Sequence, residues 1–176
     1  MSKLSRQDFV QRLKTIKLLA LDVDGVLTDD SIYFGPDGFE LKRFNISDGL
    51  FMVLAMRAGL ELAIVSGRYS AATDTRMKDL GVKHVLQEMK DKIKQIEPLL
   101  EKLNLTYADV AFVGNEILDI GLAKKVALSV AVADAAEDLK EVVSYVTREK
   151  GGQGAVREVL ECFFEAINKD PQSFLV

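Results

Sequence analysis

The chain has 176 residues, of which 48% are hydrophobic and 28% are charged, with a formal net charge of −4. This size and balance predict a globular domain with a core of its own, and an acidic chain without a basic stripe is not expected to bind nucleic acid. No apolar run approaches the roughly 20 residues of a membrane span, and no signal peptide is expected in the first 17 residues. The single cysteine, Cys162, is interpreted as a buried thiol. We therefore expect a cytoplasmic protein.

Short apolar runs alternate with helical patterns along the chain. We expect strands at Leu18–Leu21, Leu62–Val65, His84–Leu86, Val110–Val113, Leu128–Val132 and Tyr145–Val146. We expect helices near Leu50–Ala58, Ala71–Leu80, Lys90–Leu103, Ile117–Ala123, Ala135–Val142 and Ala155–Asn168. Pro98 should kink the third helix or mark its true start. This alternation predicts an α/β fold, a doubly wound Rossmann-like parallel sheet with helices on both faces.

One segment interrupts the alternation. Residues 31–45 contain two β-like runs joined by Gly-Pro-Asp-Gly at 35–38, which predicts a short β-hairpin flap. The tail at 169–176 is expected to be loosely ordered unless another element captures it. The sequence contains no repeat and no linker, so residues 1–176 are interpreted as a single domain.

Polar residues follow each of the first four strands of the predicted sheet. They are Asp22 and Asp24, then Ser66, Gly67 and Arg68, then Lys92, and finally Asn115 with Glu116 and Asp119. Each group alone has an ordinary structural explanation as a turn, a helix cap or a solvated helix start. Their order after four successive strands favours one shared functional site, because an open parallel sheet binds ligands beyond the carboxyl ends of its strands.

The acidic pair indicates phosphate chemistry. Asp22 and Asp24 would repel each other unless a cation or a shared proton joined them. Carboxylates can hold Mg²⁺, one can attack phosphorus, and the other can carry a proton. The Ser66 hydroxyl and the free backbone N–H groups after it could cradle a phosphate, and Lys92 could neutralise the phosphate and the attacking carboxylate.

The motifs "DVDGVLTDD", "IVSGR", Lys92 and "GNEILD" resemble the four motifs of the haloacid-dehalogenase-like (HAD) phosphotransferase superfamily. The segments "KRFNISDG", "GLAKKVALSVAVADA" and "YVTREKGGQGAVREV" narrow the match. Together they resemble the 3-deoxy-D-manno-octulosonate 8-phosphate (KDO 8-P) phosphatases of lipopolysaccharide synthesis. The resemblance covers roughly residues 17–164.

The resemblance implies a role for each matched residue. Asp22 would attack phosphorus and form an aspartyl-phosphate, and Asp24 would protonate the leaving oxygen and then activate water. Ser66 and Lys92 would complete the catalytic set. Mg²⁺ would be held by Asp22, the Asp24 carbonyl and Asn115. The substrate-binding residues implied in addition to Asp24 and Lys92 are Asn45, Ser47, Asp48, Gly49, Gly67, Arg68 and Arg76.

The chain also departs from the family pattern. Asn115 stands where the family usually has a metal-binding aspartate, and Glu116 or Asp119 could compensate for the missing charge. Val53 and Gln153 stand where close relatives often have arginine. The 40 residues between Gly25 and Ser66, and the 21 between Lys92 and Gly114, are too few for a cap domain. The resemblance implies a homotetramer in which hairpins meet and a neighbour covers the site.

Other interpretations remain open at this point. A nine-carbon, sialic-acid-type sugar-acid phosphate would suit the same chemistry. A signalling receiver domain is also doubly wound, but its phosphorylated aspartate follows a middle strand, whereas both aspartates here follow the first. A catalytically weak HAD-like scaffold is supported by Asn115 alone and opposed by the retention of Asp22, Asp24, Ser66 and Lys92.

Overall fold

The computed structural model describes residues 3–175. Its strands are β1 (Leu18–Leu21), β2 (Tyr33–Phe34), β3 (Glu40–Leu41), β4 (Glu61–Val65), β5 (His84–Leu86), β6 (Val110–Gly114), β7 (Leu128–Ala131) and β8 (Tyr145–Val146). Six of them form a parallel sheet in the order β5-β4-β1-β6-β7-β8, while β2 and β3 pair as a separate antiparallel hairpin. The predicted parallel α/β sheet and the hairpin flap are confirmed.

The helices cover both faces of this sheet. They are α1 (Arg6–Leu13), α2 (Ile46–Arg57), α3 (Ala71–Leu80), α4 (Lys92–Leu103), α5 (Ile120–Ala123), α6 (Glu137–Val142) and α7 (Ala155–Ala166). Strands β1, β6 and β7 are buried at every position, as expected for a sheet covered on both sides. Among residues 3–175, no helix is long and apolar enough to cross a membrane.

The central position of β1 places the functional end of the sheet. β1 pairs with β4 on one side and with β6 on the other, so later strands are added to the sheet on both sides of β1. In doubly wound sheets this reversal of strand order opens a crevice at the carboxyl ends of the strands. The residues that follow β1, β4, β5 and β6 therefore meet there.

Several element boundaries differ from the sequence-based expectations. Helix α1 was not predicted. Helix α2 begins at Ile46 rather than near Leu50, because the Asn45 side chain caps it by accepting N–H bonds from Ser47 and Asp48. Helix α4 begins at Lys92 behind an Asp91 cap, so Pro98 lies inside the helix and does not mark its start.

The end of the chain is captured by neighbouring helices. Residues Pro171–Phe174 form a short 3-10 turn capped by Asp170. The Arg57 guanidinium donates to the Phe174 carbonyl oxygen at 2.8 Å, and the Phe174 ring lies 5.8 Å from that of Phe164, between centroids. The sequence predicts a loosely ordered tail unless another element captures it. Up to residue 175, the tail is captured. Cys162 is free and buried, as predicted.

Candidate active site

Asp22 stands at the carboxyl end of β1 and is almost completely buried. Its backbone N–H continues the sheet by donating to the Val113 carbonyl at 3.0 Å, and its Oδ1 accepts the N–H of Val23 at 2.8 Å. The second carboxylate oxygen, Oδ2, faces Lys92 Nζ at 2.8 Å. Burial raises the pKa of Asp22 to about 6, although the Lys92 ammonium opposes the shift. One side-chain oxygen is therefore fixed by the backbone and the other is presented to a cation.

Lys92 is the first residue of α4, and its side chain is only 4% exposed. Its ammonium bridges Asp22 and the fully buried Asp119, and lies 5.5 Å from the centroid of the Phe112 ring. Burial alone would lower the pKa of Lys92, but the two carboxylates outweigh burial and raise it. The lysine is thus a permanent positive charge beside the nucleophile candidate.

Asp119 organises the loop after β6. Its Oδ2 accepts the backbone N–H groups of Asn115 at 2.8 Å and of Glu116 at 3.1 Å, and its Oδ1 binds Lys92. Both oxygens of Asp119 are therefore occupied within the protein. Glu116 is partly exposed and uses its carboxylate to accept the N–H of Ile117.

Asn115 approaches the first loop closely. Gly25 has a φ of +75°, and a Cβ added there would lie 1.9 Å from Asn115 Nδ2, so this position requires glycine. Asn115 Oδ1 is buried and has no hydrogen-bond partner among residues 3–175. An unpaired buried amide oxygen is unfavourable, and a cation is one partner that would satisfy it.

Ser66 follows β4 and is held from two sides. Its backbone N–H donates to the Leu86 carbonyl at 2.8 Å, and its own carbonyl accepts from Gln95 Nε2 at 3.0 Å. The hydroxyl bonds to the Arg68 carbonyl at 3.0 Å. Gln95 lies one turn after Lys92 on α4, so a single helix contacts both the nucleophile loop and the serine loop.

The hairpin folds back onto the second aspartate. Lys42, directly after β3, forms an ion pair with Asp24 Oδ1, and Arg68 Nη2 lies 3.2 Å from Asp24 Oδ2. Glu40 joins the two cations, since its carboxylate pairs with Arg68 and lies 3.7 Å from Lys42 Nζ, and it also accepts from the Ser70 hydroxyl at 2.8 Å. The Arg68 guanidinium holds the pKa of Glu40 below its ordinary value.

A glycine-rich segment supports the first loop from behind. A Cβ at Gly151 would lie 1.9 Å from the Gly25 carbonyl oxygen, and the Gly152 N–H donates to the Val26 carbonyl at 2.9 Å. The buried Glu158 of α7 anchors this segment, because its Oε2 accepts the N–H of Arg148 at 2.8 Å. Close backbone packing thus explains the "GGQG" motif.

These elements enclose a cleft of about 250 Å³. Seven of the sequence-predicted site residues line it: Asp22, Asp24, Ser66, Gly67, Arg68, Lys92 and Asn115. Lys90 and Leu118 contribute to its walls as well. The residues predicted after four separate strands are therefore brought together.

The other predicted substrate residues lie elsewhere in this chain. Asn45 and Ser47 line neighbouring clefts beside Gln153. Asp48 and Gly49 are buried on α2, and Arg76 packs over Gly49 so closely that a Cβ there would lie 2.5 Å from Arg76 Nη2. Their role in substrate binding stays a prediction.

Comparison with known proteins identifies the family. Residues 81–160 match the haloacid dehalogenase-like hydrolase model. A 3-deoxy-D-manno-octulosonate 8-phosphate phosphatase of Escherichia coli strain K12 is 43% identical over 162 residues, which cover 92% of this chain and 86% of that protein. The chain belongs to this phosphatase family.

Solved structures agree with the family assignment. A KDO 8-P phosphatase from Yersinia pestis has a TM-score of 0.89 and 41% identity, covering 92% of this chain and 88% of that one. The Moraxella catarrhalis enzyme, solved with a magnesium ion, a phosphate ion and KDO, has a TM-score of 0.88 and 36% identity, covering 91% and 92% of the two chains. The predicted HAD fold and the predicted enzyme class, a phosphatase, are confirmed.

Sequence reasoning missed part of this KDO 8-P phosphatase-like site. Glu40 and Lys42 contact the cleft residues Arg68 and Asp24 only because the hairpin folds back toward them, and Gln95 reaches Ser66 across the sheet edge. One signal was available for Gln95, since it stands three residues after Lys92 and therefore on the same helix face. For Lys42 the sequence offers only alternation along a short strand.

Proposed function

We propose that the protein is a Mg²⁺-dependent phosphomonoesterase that hydrolyses 3-deoxy-D-manno-octulosonate 8-phosphate. The observation that carries the proposal is the buried contact of 2.8 Å between Asp22 Oδ2 and Lys92 Nζ, in a cleft that Ser66 and Asn115 also line. The magnesium ion and KDO bound in the structure of the Moraxella catarrhalis relative favour the same metal and sugar acid.

The residues at the cleft suit a magnesium ion. Mg²⁺ prefers oxygen ligands, and Asn115, which lines the cleft, has a buried Oδ1 without a hydrogen-bond partner in the described part of the chain. We infer that Asp22, the backbone carbonyl of Asp24 and Asn115 hold the ion. When bound, Mg²⁺ supplies positive charge that stabilises the charge on the phosphoryl oxygens.

The chemistry then divides between the two aspartates. The Asp22 carboxylate attacks phosphorus, and the bond from phosphorus to the sugar oxygen breaks as Asp24 gives that oxygen its proton. Asp24 next takes a proton from water, and the resulting hydroxide attacks the aspartyl-phosphate, which frees inorganic phosphate and the Asp22 carboxylate. Lys92 and the Ser66 hydroxyl are placed to hold the phosphoryl group throughout.

Substrate recognition beyond the phosphate is assigned to arginine. Arg68 lines the cleft, and a guanidinium can bind a sugar carboxylate with two parallel hydrogen bonds. We propose that Arg68 meets the acid end of the substrate and that Arg76 and the segment 45–49 contribute from the surfaces around the cleft.

We further propose a homotetramer that acts in the cytoplasm as a single-domain enzyme. Apolar side chains on the hairpin and at the start of α2 are unusually exposed: Ile32, Tyr33, Phe34, Phe39, Leu41, Ile46 and Leu50. Contiguous exposed apolar surface favours contact with another protein surface. Hairpins meeting between subunits would bury it and would let a neighbour cover the cleft.

Phosphate release from a panel of sugar phosphates tests the function. The purified protein should release phosphate from KDO 8-phosphate in the presence of Mg²⁺ and should lose this activity in EDTA. Asp22→Asn should be folded but inactive. The matched control is Asp37→Asn in the hairpin turn, which makes the same chemical change at an exposed residue with a φ of 63° that asparagine tolerates.

The panel also separates the alternatives. Preference for a nine-carbon sugar-acid 9-phosphate would keep the chemistry and change the substrate. Inactivity of the wild-type protein toward every sugar-acid phosphate would contradict the proposal and favour a HAD-like scaffold.

A further inference from the structure

Asp24 is held by two cations that differ in exposure to solvent. Lys42 pairs with its Oδ1, while Arg68 lies 3.2 Å from its Oδ2. The Lys42 side chain is 1% exposed, whereas that of Arg68 is 39% exposed. Arg68 therefore has room to turn toward a ligand, and Lys42 is fixed in place.

We propose that Lys42 is a positioning residue that holds the Asp24 carboxylate in the orientation needed for proton transfer. The inference rests on the proposed function, in which Asp24 is the acid and base. It assigns a catalytic contribution to the hairpin of the same chain, separate from any contact the hairpin makes with a neighbour.

The cost of burying Lys42 supports a specific task. A buried ammonium loses its hydration and is tolerated only when paired. Within residues 3–175 the ion-pair partners of Lys42 are Asp24, which lines the cleft, and Glu40, which pairs with the cleft residue Arg68. Glu40 also accepts from the Ser70 hydroxyl at 2.8 Å, a contact that does not depend on Arg68, so Lys42 keeps an anchored second partner when Arg68 turns.

The two cations occupy different oxygens of Asp24. If Arg68 turns to bind the acid end of the substrate, it releases Asp24 Oδ2. Lys42 retains Oδ1, so the carboxyl group keeps its direction while Oδ2, which carries the proton in the first step, is free to face the leaving oxygen. Because Lys42 pairs with Asp24 and not with the predicted phosphate ligands, its loss should affect the chemical steps rather than binding.

The variant Lys42→Met keeps the length of the side chain and removes its charge. With KDO 8-phosphate we expect kcat to fall at least about tenfold and KM to change by less than about threefold, because general acid–base catalysis contributes roughly 100-fold or more. Arg43→Met is the matched control. Its guanidinium is 60% exposed and pairs with Asp29 at 3.1 Å, so kcat should stay within about twofold of the wild-type value.

A leaving group that needs no proton provides a second readout. With 4-nitrophenyl phosphate, Asp24 is dispensable in the first step and required only for hydrolysis of the aspartyl-phosphate. In stopped-flow absorbance, Lys42→Met should release a burst of 4-nitrophenol close to one equivalent per subunit, followed by a slow steady rate. A purely structural defect would reduce both phases together.

The folding of each variant is measured separately from its activity, and three results would contradict the inference. Circular dichroism and thermal melting verify folding, and Lys42→Gln replaces Lys42→Met if the latter melts below the assay temperature. Unchanged kcat, a parallel loss of both kinetic phases, or an equal loss in Arg43→Met would overturn the inference while leaving the proposed function intact. Inactivity of the wild-type protein would contradict the proposed function itself, and the inference with it.

Discussion

At the scale of single residues, the site is organised by charges that compensate one another within a few ångströms. Lys92 is shared by Asp22 and Asp119, and Asp119 in turn holds the backbone of Asn115. Because both oxygens of Asp119 are occupied, it cannot easily replace the charge that Asn115 lacks. Asn115 Oδ1, in contrast, is unpaired.

We predict that Asn115→Asp tightens Mg²⁺ binding by about tenfold, which corresponds to roughly 1.4 kcal/mol. The substitution replaces a neutral amide oxygen by a carboxylate, and ligand charge strengthens the binding of hard cations. Isothermal titration calorimetry with Mg²⁺ alone measures the change without relying on turnover.

The control is Asn104→Asp, the same change at the end of α4. Mg²⁺ affinity of this variant should equal that of the wild-type protein. Unchanged or weaker binding in Asn115→Asp would show that Asn115 is not a ligand.

At the scale of elements, one helix supplies the cap of another. Helix α7 begins after Gly154, which has no side chain to accept the free N–H groups at the helix start. Asp48 of α2 takes this role, since its Oδ1 accepts the Arg157 N–H at 2.7 Å. Its other oxygen, Oδ2, is buried and has no hydrogen-bond partner within the described residues. Burial raises the pKa of Asp48 to about 6, against the effect of its bonds to the backbone of α7.

This pKa predicts a pH-dependent contribution to stability. Because the pKa in the folded state lies above the ordinary value of 3.8, the contribution is complete below pH 3.8 and is lost as the pH rises through 6. Relative to Asp48→Asn, the wild-type free energy of unfolding should fall by about 1–3 kcal/mol between pH 4 and pH 7.

Urea denaturation of both proteins at several pH values measures the difference. Asp37→Asn, an exposed substitution in the hairpin, should follow the wild-type pH dependence. Parallel curves for wild type and Asp48→Asn would refute the assignment, as would a difference of opposite sign.

The elements also show how far sequence reasoning extends. Three of the six core strands match their predicted bounds at both ends, and the other three differ by one residue at one end, because uninterrupted apolar runs have few alternatives in an α/β chain. Helix α1 was missed because its eight residues are mostly polar and only Phe9, Val10 and Leu13 are buried. These three residues form a recognisable buried face only once α7 is present to pack against them.

The candidate site also contains residues that the sequence predicts and residues that it does not. Asp22, Ser66, Lys92 and Asn115 follow strands, so the topology alone brings them together. Lys42 reaches Asp24 through the path of a hairpin that no periodicity specifies. Such a contact depends on tertiary packing and could not be derived from local patterns.

At the scale of the whole molecule, the hairpin has apolar surface that the structure, from residue 3 to residue 175, leaves exposed. Phe34 is 72% exposed and Ile46 is 82% exposed. Both belong to the apolar surface that the proposed tetramer would bury.

We predict that Phe34→Asp shifts the protein from tetramer toward smaller species, because a charge buried between hairpins would be costly. Sedimentation velocity at several concentrations measures the distribution. Gln11→Asp adds the same charge to an exposed position of α1 and should leave it unchanged. A wild-type protein that sediments as a monomer, or a variant that remains fully tetrameric, would contradict the prediction.

The spacing of Lys92 and Gln95 on α4 has a mechanical consequence. One helical turn holds the two loops that would grip the nucleophile and the phosphoryl oxygens, through contacts of 2.8 Å and 3.0 Å. Pro98, where a helix bends most readily, lies beyond this turn. Flexing at the proline would therefore leave the first turn intact, and displacement of that turn would carry both loops in concert. We therefore expect the distance between Asp22 and Ser66 to vary less under thermal motion than the position of either residue does.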